Sequence, residues 1–388
     1  MTDKKIIKFQ RKKNKKLIKK IYRIVRIPVA VLVVVFALFL SAKMLGEVAV
    51  SNVSDVFRQI PYLFSHGSGF PYTVEGTDDI SLELIGDSPA VISNGTLTVL
   101  SSTARKMCDT PLDFSDAKIV TRGGRALIYS NNSSTAVLSG KTEKVGTLTA
   151  DSAVTAAALS KNGKTAVSFA ADEAQSVLAV YNQRSKEVFR WNCSKEYISA
   201  LALSPNGRRV AASAVGAENA QIYSRFIIFD IKKTAPAADV RLDASMILKL
   251  ISGSRGKVIA VCDNKAVVFN KNGEILLELK YGDDSLISAV SDSKGNTLIC
   301  YKEGGGSKIN AARISASGKL TCTVTVAEQP DCTCIRAGRF VLVSGKTATE
   351  YSSSGKERRN FETKEEPSKA VLASNCVYTV ENSQLCKY

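Results

Sequence analysis

The sequence predicts an all-β fold, a β-propeller of eight blades preceded by a single N-terminal transmembrane helix. Three observations predict it: a phrase written twice, a unit built on that phrase that recurs every 40–45 residues, and an apolar run that follows a basic tail. The phrase is ALSKNGKTAVSF at Ala158–Phe169 and ALSPNGRRVAAS at Ala202–Ser213. Asn-Gly is a hairpin signal, because both residues accept positive φ at little cost. An alternating run precedes each copy (VTAAAL, ISALAL) and a second strand-like run follows it. Related turns follow at Gly256 and Gly295, and each unit continues into two further strand-like runs. A four-stranded meander repeated at this period predicts a propeller. Parallel β-helices have shorter coils.

Weaker units fill the rest of the chain from Phe70, with boundaries near residues 78, 113, 152, 197, 244, 284, 329 and 368. The count is eight, or seven if one weak unit is misread. The last unit holds about three strands. The strand-like FPYTVEG at Phe70–Gly76 is expected to supply its fourth, closing the ring and removing open sheet edges. A chain of 388 residues exceeds ordinary single-core size, which a repeat architecture accommodates.

The net charge is +17. Residues 1–26 hold twelve Lys and Arg against the single acid Asp3, whereas from Phe70 onward 39 basic residues face 33 acidic ones. On this count the charge belongs to an N-terminal tail and not to a basic groove on the folded part. The tail meets sixteen uncharged residues, Ile27–Ala42, bounded by Arg26 and Lys43. A span needs about 20 apolar residues, and Lys or Arg at its ends can snorkel. Residues 27–45 therefore read as a membrane anchor with Ile27, Val31, Val35, Leu38 and Leu40 facing lipid. A cleaved signal peptide is the rival reading, but LFLSAKMLGE offers no small-x-small cleavage site.

The positive-inside rule puts residues 1–26 in the cytoplasm and the propeller, residues 70–388, outside the cell membrane. Lys15, Lys16, Lys19, Lys20, Arg23 and Arg26 are expected to hold anionic membrane lipid. The join to an apolar span favours lipid over nucleic acid, which is not expected as a partner. Residues 46–69 read as a short juxtamembrane helix, with Val53, Phe57, Ile60 and Phe64 on one face, followed by HGSGFP as a flexible joint.

Basic tail, single span, short helix, the lead-in GSGFP (Gly67–Pro71) and a degenerate propeller ending in a truncated hairpin together resemble one family. It is the uncharacterised membrane-anchored propeller proteins of clostridia and their relatives, a domain-of-unknown-function family. The resemblance covers essentially the whole chain and carries over no functional residues, as that family has none assigned. The Trp-Asp and Gly-His signatures of WD-repeat propellers are absent, so the repeats are WD40-like without that signature and imply none of their partners.

Chemistry is scarce. SGKT at Ser139–Thr142 and Ser344–Thr347 lacks the upstream glycine of a phosphate loop and sits between strands, so both read as blade turns. His66 is the only histidine and lies in the joint, where no nucleophile elbow accompanies it. The pairs Asp78/Asp79 and Asp283/Asp284 fall at blade boundaries, where acidic turn residues are common; as carboxylates across a cleft they would suit glycoside hydrolysis. Nine scattered cysteines read as buried small hydrophobes, and Cys332 and Cys334 share one strand face without further ligands nearby. No catalytic, cofactor or metal residue is expected.

The expected activity is therefore non-enzymatic. The chain reads as an interaction or scaffold module at the cell envelope, its ring face turned to a protein or glycan partner through loops around Asn162, Asn206, Lys294, Glu303 and Gly305. The alternatives are an envelope protein that binds or cleaves carbohydrate, and a sensor or assembly factor acting through the basic tail.

Overall fold

The computed structural model describes residues 67–76, 80–304, 306 and 308–388. They form eight four-stranded antiparallel sheets. The blades span residues 81–111, 118–149, 154–193, 197–243, 247–280, 286–326, 332–362 and 369–387, each within about five residues of its expected start. The eighth blade takes its outermost strand from the N-terminal side: Tyr72–Thr73 pairs with the strand Gln384–Lys387, placing Tyr72 opposite Leu385 and Thr73 opposite Gln384. The Val74 amide continues this seam by donating to the Ser383 carbonyl at 2.8 Å. The ring closes as FPYTVEG predicts.

Apolar residues on both faces of the second and third strands dictate this arrangement. Arg125–Tyr129 and Val258–Cys262 are buried at every position, whereas the outer strand Ile275–Lys280 is exposed at four of its six positions. The core is accordingly divided into eight apolar clusters, one at each seam between neighbouring blades. Between blades four and five, Phe226 stacks on Phe269 with ring centroids 4.0 Å apart. Burying such a side chain contributes roughly 1.5–3 kcal/mol.

The repeated phrase is a turn, but not the one that Asn-Gly suggests. Asn94–Gly95 and Gly123–Gly124 have positive φ at both turn residues. In SKNG only Gly163 is left-handed, at φ 81°, and in SPNG only Gly207, at φ 60°. The loops are longer. In SKNG, Ser160 at the first position accepts the Lys164 amide through its Oγ at 2.8 Å. Asp292 and Asn270 do the same through their Oδ1 atoms for Asn296, at 2.9 Å, and Glu274, at 3.0 Å. The motif is thus a Ser, Asn or Asp followed three residues later by a left-handed residue, usually Gly.

The joint is also bound, not free. Gly67 and Gly69 donate their amides to Thr103, to its Oγ1 and its carbonyl respectively, both at 3.2 Å. The calls on residues 1–66, including the anchor, the basic tail and His66, lie outside the described residues.

Gly295 distinguishes local strain from contact between blades. Its φ is 90°, and a Cβ there would meet the Ser252 carbonyl and lie 2.9 Å from Gly253 Cα in the neighbouring blade. Gly345, at φ 54°, has open space around its missing Cβ. Gly345→Ala should cost about 1–2 kcal/mol from backbone conformation alone, and Gly295→Ala clearly more. Thermal melts of the two variants side by side will show whether the turn packs so closely on blade five.

Candidate functional site

The innermost strands enclose an axial channel of two joined cavities, about 500 and 260 Å³. Both cavities are lined by Glu83, Arg122, Lys249 and Asp292. Glu83 and Lys249 come from blades one and five, which are opposite in a ring of eight. Lys249 lies along the next blade, its Nζ donating to the Ala289 carbonyl at 3.2 Å. Both side chains border open space, Lys249 more than Glu83, yet protein surrounds that space. Desolvation therefore raises the Glu83 pKa, and the Lys249 charge opposes the rise. Desolvation lowers that of Lys249, with Glu83 opposing. Each charge works against the neutralisation of the other.

Arg122 crosses the channel from blade two, its Nη2 donating to the Ser252 carbonyl of blade five at 3.1 Å. Its Nε has no partner among the described residues. Burial lowers the Arg122 pKa and Asp292 works against that. Asp292 itself accepts the Asn296 amide and, through Oδ2, the Ala337 amide of the next blade at 2.8 Å. The four charged residues that line both cavities thus carry two positive and two negative formal charges. Sequence reasoning missed these residues. Their signal was a lone charge in an apolar first strand, SLELI for Glu83 and ILKLIS for Lys249.

The two faces of the ring differ more sharply. Strands alternate in direction, so turns from first to second and from third to fourth strand share one face, here the basal face. Turns from second to third strand and connections between blades share the upper face. Counted from the last residue of one strand to the first of the next, and with Lys387 at the basal end of the last strand, the basal turns carry 23 Lys and Arg against 7 Asp and Glu. Described upper turns and connections carry 9 against 19. The small net charge of the folded part therefore conceals two opposed surfaces, and the expectation that it lacks a basic surface is corrected. Among the described residues, no acid pairs with Lys161, Lys232, Lys233, Lys271, Lys294 or Lys319. Lys164 is held below the usual lysine pKa by desolvation and by the nearby Lys232 charge.

The loops singled out from the sequence do not share a face. Asn162, Asn206 and Lys294 lie in basal turns of blades three, four and six. Asn162 Nδ2 donates to the Asn206 carbonyl at 2.8 Å, so these two asparagines hold neighbouring turns together. Glu303 is exposed in an upper turn, and Gly305 lies outside the described residues. Asp283 and Asp284 are exposed neighbours in the connection to blade six and line neither axial cavity. Asp78 and Asp79 fall outside the described residues. Both SGKT segments are blade turns. All nine cysteines are free. Cys332 donates its thiol to the Pro367 carbonyl at 3.2 Å, and among the described residues no group of three or more ligating side chains comes together.

A family model described as a family of unknown function, DUF5711, matches residues 72–387, the whole ring. The chain belongs to that family. No curated protein sequence matches the chain. Among solved structures, the computationally designed Ika8 protein is similar at TM-score 0.60 and 15% identity, covering 81% of this chain and 98% of its own. The C-terminal WD40 domain of Sif2 follows at TM-score 0.56 and 10% identity, with 82% and 98% covered. BamB from Moraxella catarrhalis gives 0.51 and 11%, with 82% and 99% covered. These likenesses establish a WD40-like eight-bladed propeller and nothing of its chemistry.

The channel pair has a pH signature. A raised Glu83 pKa means the fold binds that proton more tightly than the unfolded chain, so its contribution to stability fades as pH rises above about 4.5. Lys249→Met removes the compensating charge. It should lower the melting temperature at pH 7, and leave it unchanged or raised near pH 4, where Glu83 is protonated. The thiols give a second check. Burial pushes Cys193, Cys300 and Cys332 up to about 11 and Cys262 to about 12. In the native protein the six buried cysteines should resist a thiol reagent at pH 8 that labels all nine after denaturation.

Proposed function

We propose that this chain is a single-pass, membrane-anchored and extracytoplasmic propeller that works as a non-enzymatic interaction module at the cell envelope. One observation carries the reading: the chain joins the ring on the basal side, at Gly67 and Gly69, leaving the acidic upper face free for a partner. The anchor is the apolar run containing Ile27, Val31, Val35, Leu38 and Leu40, with the basic residues from Lys15 to Arg26 on cytoplasmic anionic lipid. Nine free thiols suit an envelope without oxidant, as in an anaerobic organism, and the family resemblance adds a clostridial source. A closed ring gives a rigid platform, and exposed loops supply the contacts.

The partner surface is the acidic arc over blades five to seven, which includes Asp283, Glu303 and Glu328, all exposed. It fits a protein with a basic patch, or a glycan bearing cationic groups. Asp283 and Asp284 lie side by side in one turn, which favours binding over cleavage, since glycoside hydrolysis sets its two carboxylates across the scissile bond.

Crosslinking of the full-length protein in its native membrane, followed by mass spectrometry, tests the reading. A partner captured by the wild type should be lost from Asp283→Lys/Glu303→Lys/Glu328→Lys, with the melting temperature of the variant unchanged. Retention of the same partner would remove the acidic arc from the interface. Release of the protein by an alkaline wash would remove the anchor.

A further inference from the structure

We propose that the basal face lies flat on the anionic phospholipid headgroups of the membrane that holds the N-terminal anchor. The inference rests on the tethered reading above and adds the orientation of the ring and the ligand of its basic face.

The side is set by where the chain joins. Gly67 and Gly69 are bound to Thr103 in the turn between the third and fourth strands of blade one, a basal turn. The face on which residues 67–69 join the ring is therefore the one with 23 cationic and 7 anionic residues. Exposed cations without an acidic partner extend it away from that point: Lys161 in blade three, Lys232 and Lys233 in blade four, Lys271 in blade five, and Lys294 and Lys319 in blade six. The chain joins between blades eight and one, on the other side of the ring. A tether at one edge and charge attraction at the other hold a disc parallel to a plane, where either alone would let it swing.

Apolar side chains point the same way. The described residues expose seven large hydrophobic side chains. Four of them, Val188, Ile275, Leu276 and Leu320, lie at or beside the basal ends of outer strands in blades three, five and six. Lys186, Lys271 and Lys319 stand within a few residues of them. Apolar groups edged by lysine suit the boundary between headgroups and acyl chains, where the methyls enter and the amines meet phosphate. A soluble polyanion would engage the lysines but offer nothing to Ile275 and Leu276. The upper face, with its acidic excess, is repelled by the same surface, so charge favours the orientation that the tether side also favours.

Lysine labelling of the full chain reconstituted in vesicles reads this directly. In phosphatidylcholine containing about one third phosphatidylglycerol, Lys161, Lys232, Lys233 and Lys294 should react roughly fivefold or more slowly than in phosphatidylcholine alone. Lys302 and Lys346 on the upper face should react equally in both, and high salt should restore the basal rates. Lys161→Glu/Lys232→Glu/Lys294→Glu, with unchanged circular dichroism, should lose the protection of Lys233 and Lys271. Equal basal and upper reactivity in a chain that resists alkaline extraction would overturn the proposal while leaving the tether intact. Protection by soluble polyglutamate but not by anionic vesicles would overturn it in favour of a polyanion. Extraction of the chain from both kinds of vesicle would remove the tethered reading, and this inference with it.

Discussion

Every blade is apolar on both faces, and that constraint governs the rest of the structure. A single sheet such as blade five, with Ile259 and Val261 facing one neighbour and Val258 and Ala260 the other, has no side to turn to water. It can be buried only by a blade on each side, and the same holds for each of those blades. The chain has to close on itself, and closure needs the two-residue strand Tyr72–Thr73 despite its small area. The turn chemistry follows from closure. At a seam the basal turns approach one another, as the backbone of Gly295 does to that of Ser252 and Gly253, which excludes any Cβ at that position.

The apolar seams also explain why the innermost strands tolerate charge at all. Their inner faces border the channel, so Glu83 and Lys249 displace no seam contact. They still lose solvation, and the charge of each opposes the resulting shift of the other across the ring. Such a pair is weak evidence of added stability, because desolvation offsets much of the attraction. It belongs to the channel as a place for polar groups that the packed seams cannot hold. Arg122 makes the same point, reaching over the channel to a carbonyl of blade five while its Nε stays without a partner.

The repeat was legible because its signals are local. The longer basal turns such as Ser160–Lys164, Asn270–Glu274 and Asp292–Asn296 carry a first-position Ser, Asn or Asp and a left-handed Gly within five positions, and most strands declare themselves by alternation or by a short apolar run. The blade starts and the closing strand followed from these. The turn type did not, since Asn162-Gly163 and Asn94-Gly95 are the same dipeptide and differ in loop length. The channel pair was hidden because Glu83 and Lys249 become opposite only once the blade count is fixed at eight. The sorting of charge was hidden for a related reason. Lysines from all along the chain reach one face only because strand direction reverses at each turn. A net count over residues 70–388 averages the two faces away.

That sorting is not a by-product of turn chemistry. The turn motif requires a side-chain acceptor at its first position and a residue that tolerates positive φ three positions on, and places no demand on charge. The upper turns meet similar backbone demands: Asn94–Gly95 and Asn382–Ser383 are left-handed at both positions and carry no cation. Basal lysines act on one another unfavourably, as Lys232 does on Lys164, although some basal cations also join blades, as Lys257 does through the Ser317 carbonyl and Lys387 through the Ser102 carbonyl. Like charge gathered on one face costs stability through self-repulsion, and an anionic surface beside that face would offset it. Folding accounts for the blades, the seams and the channel. The excess charge of the basal face is left over from that account, and contact with an anionic surface is proposed from it.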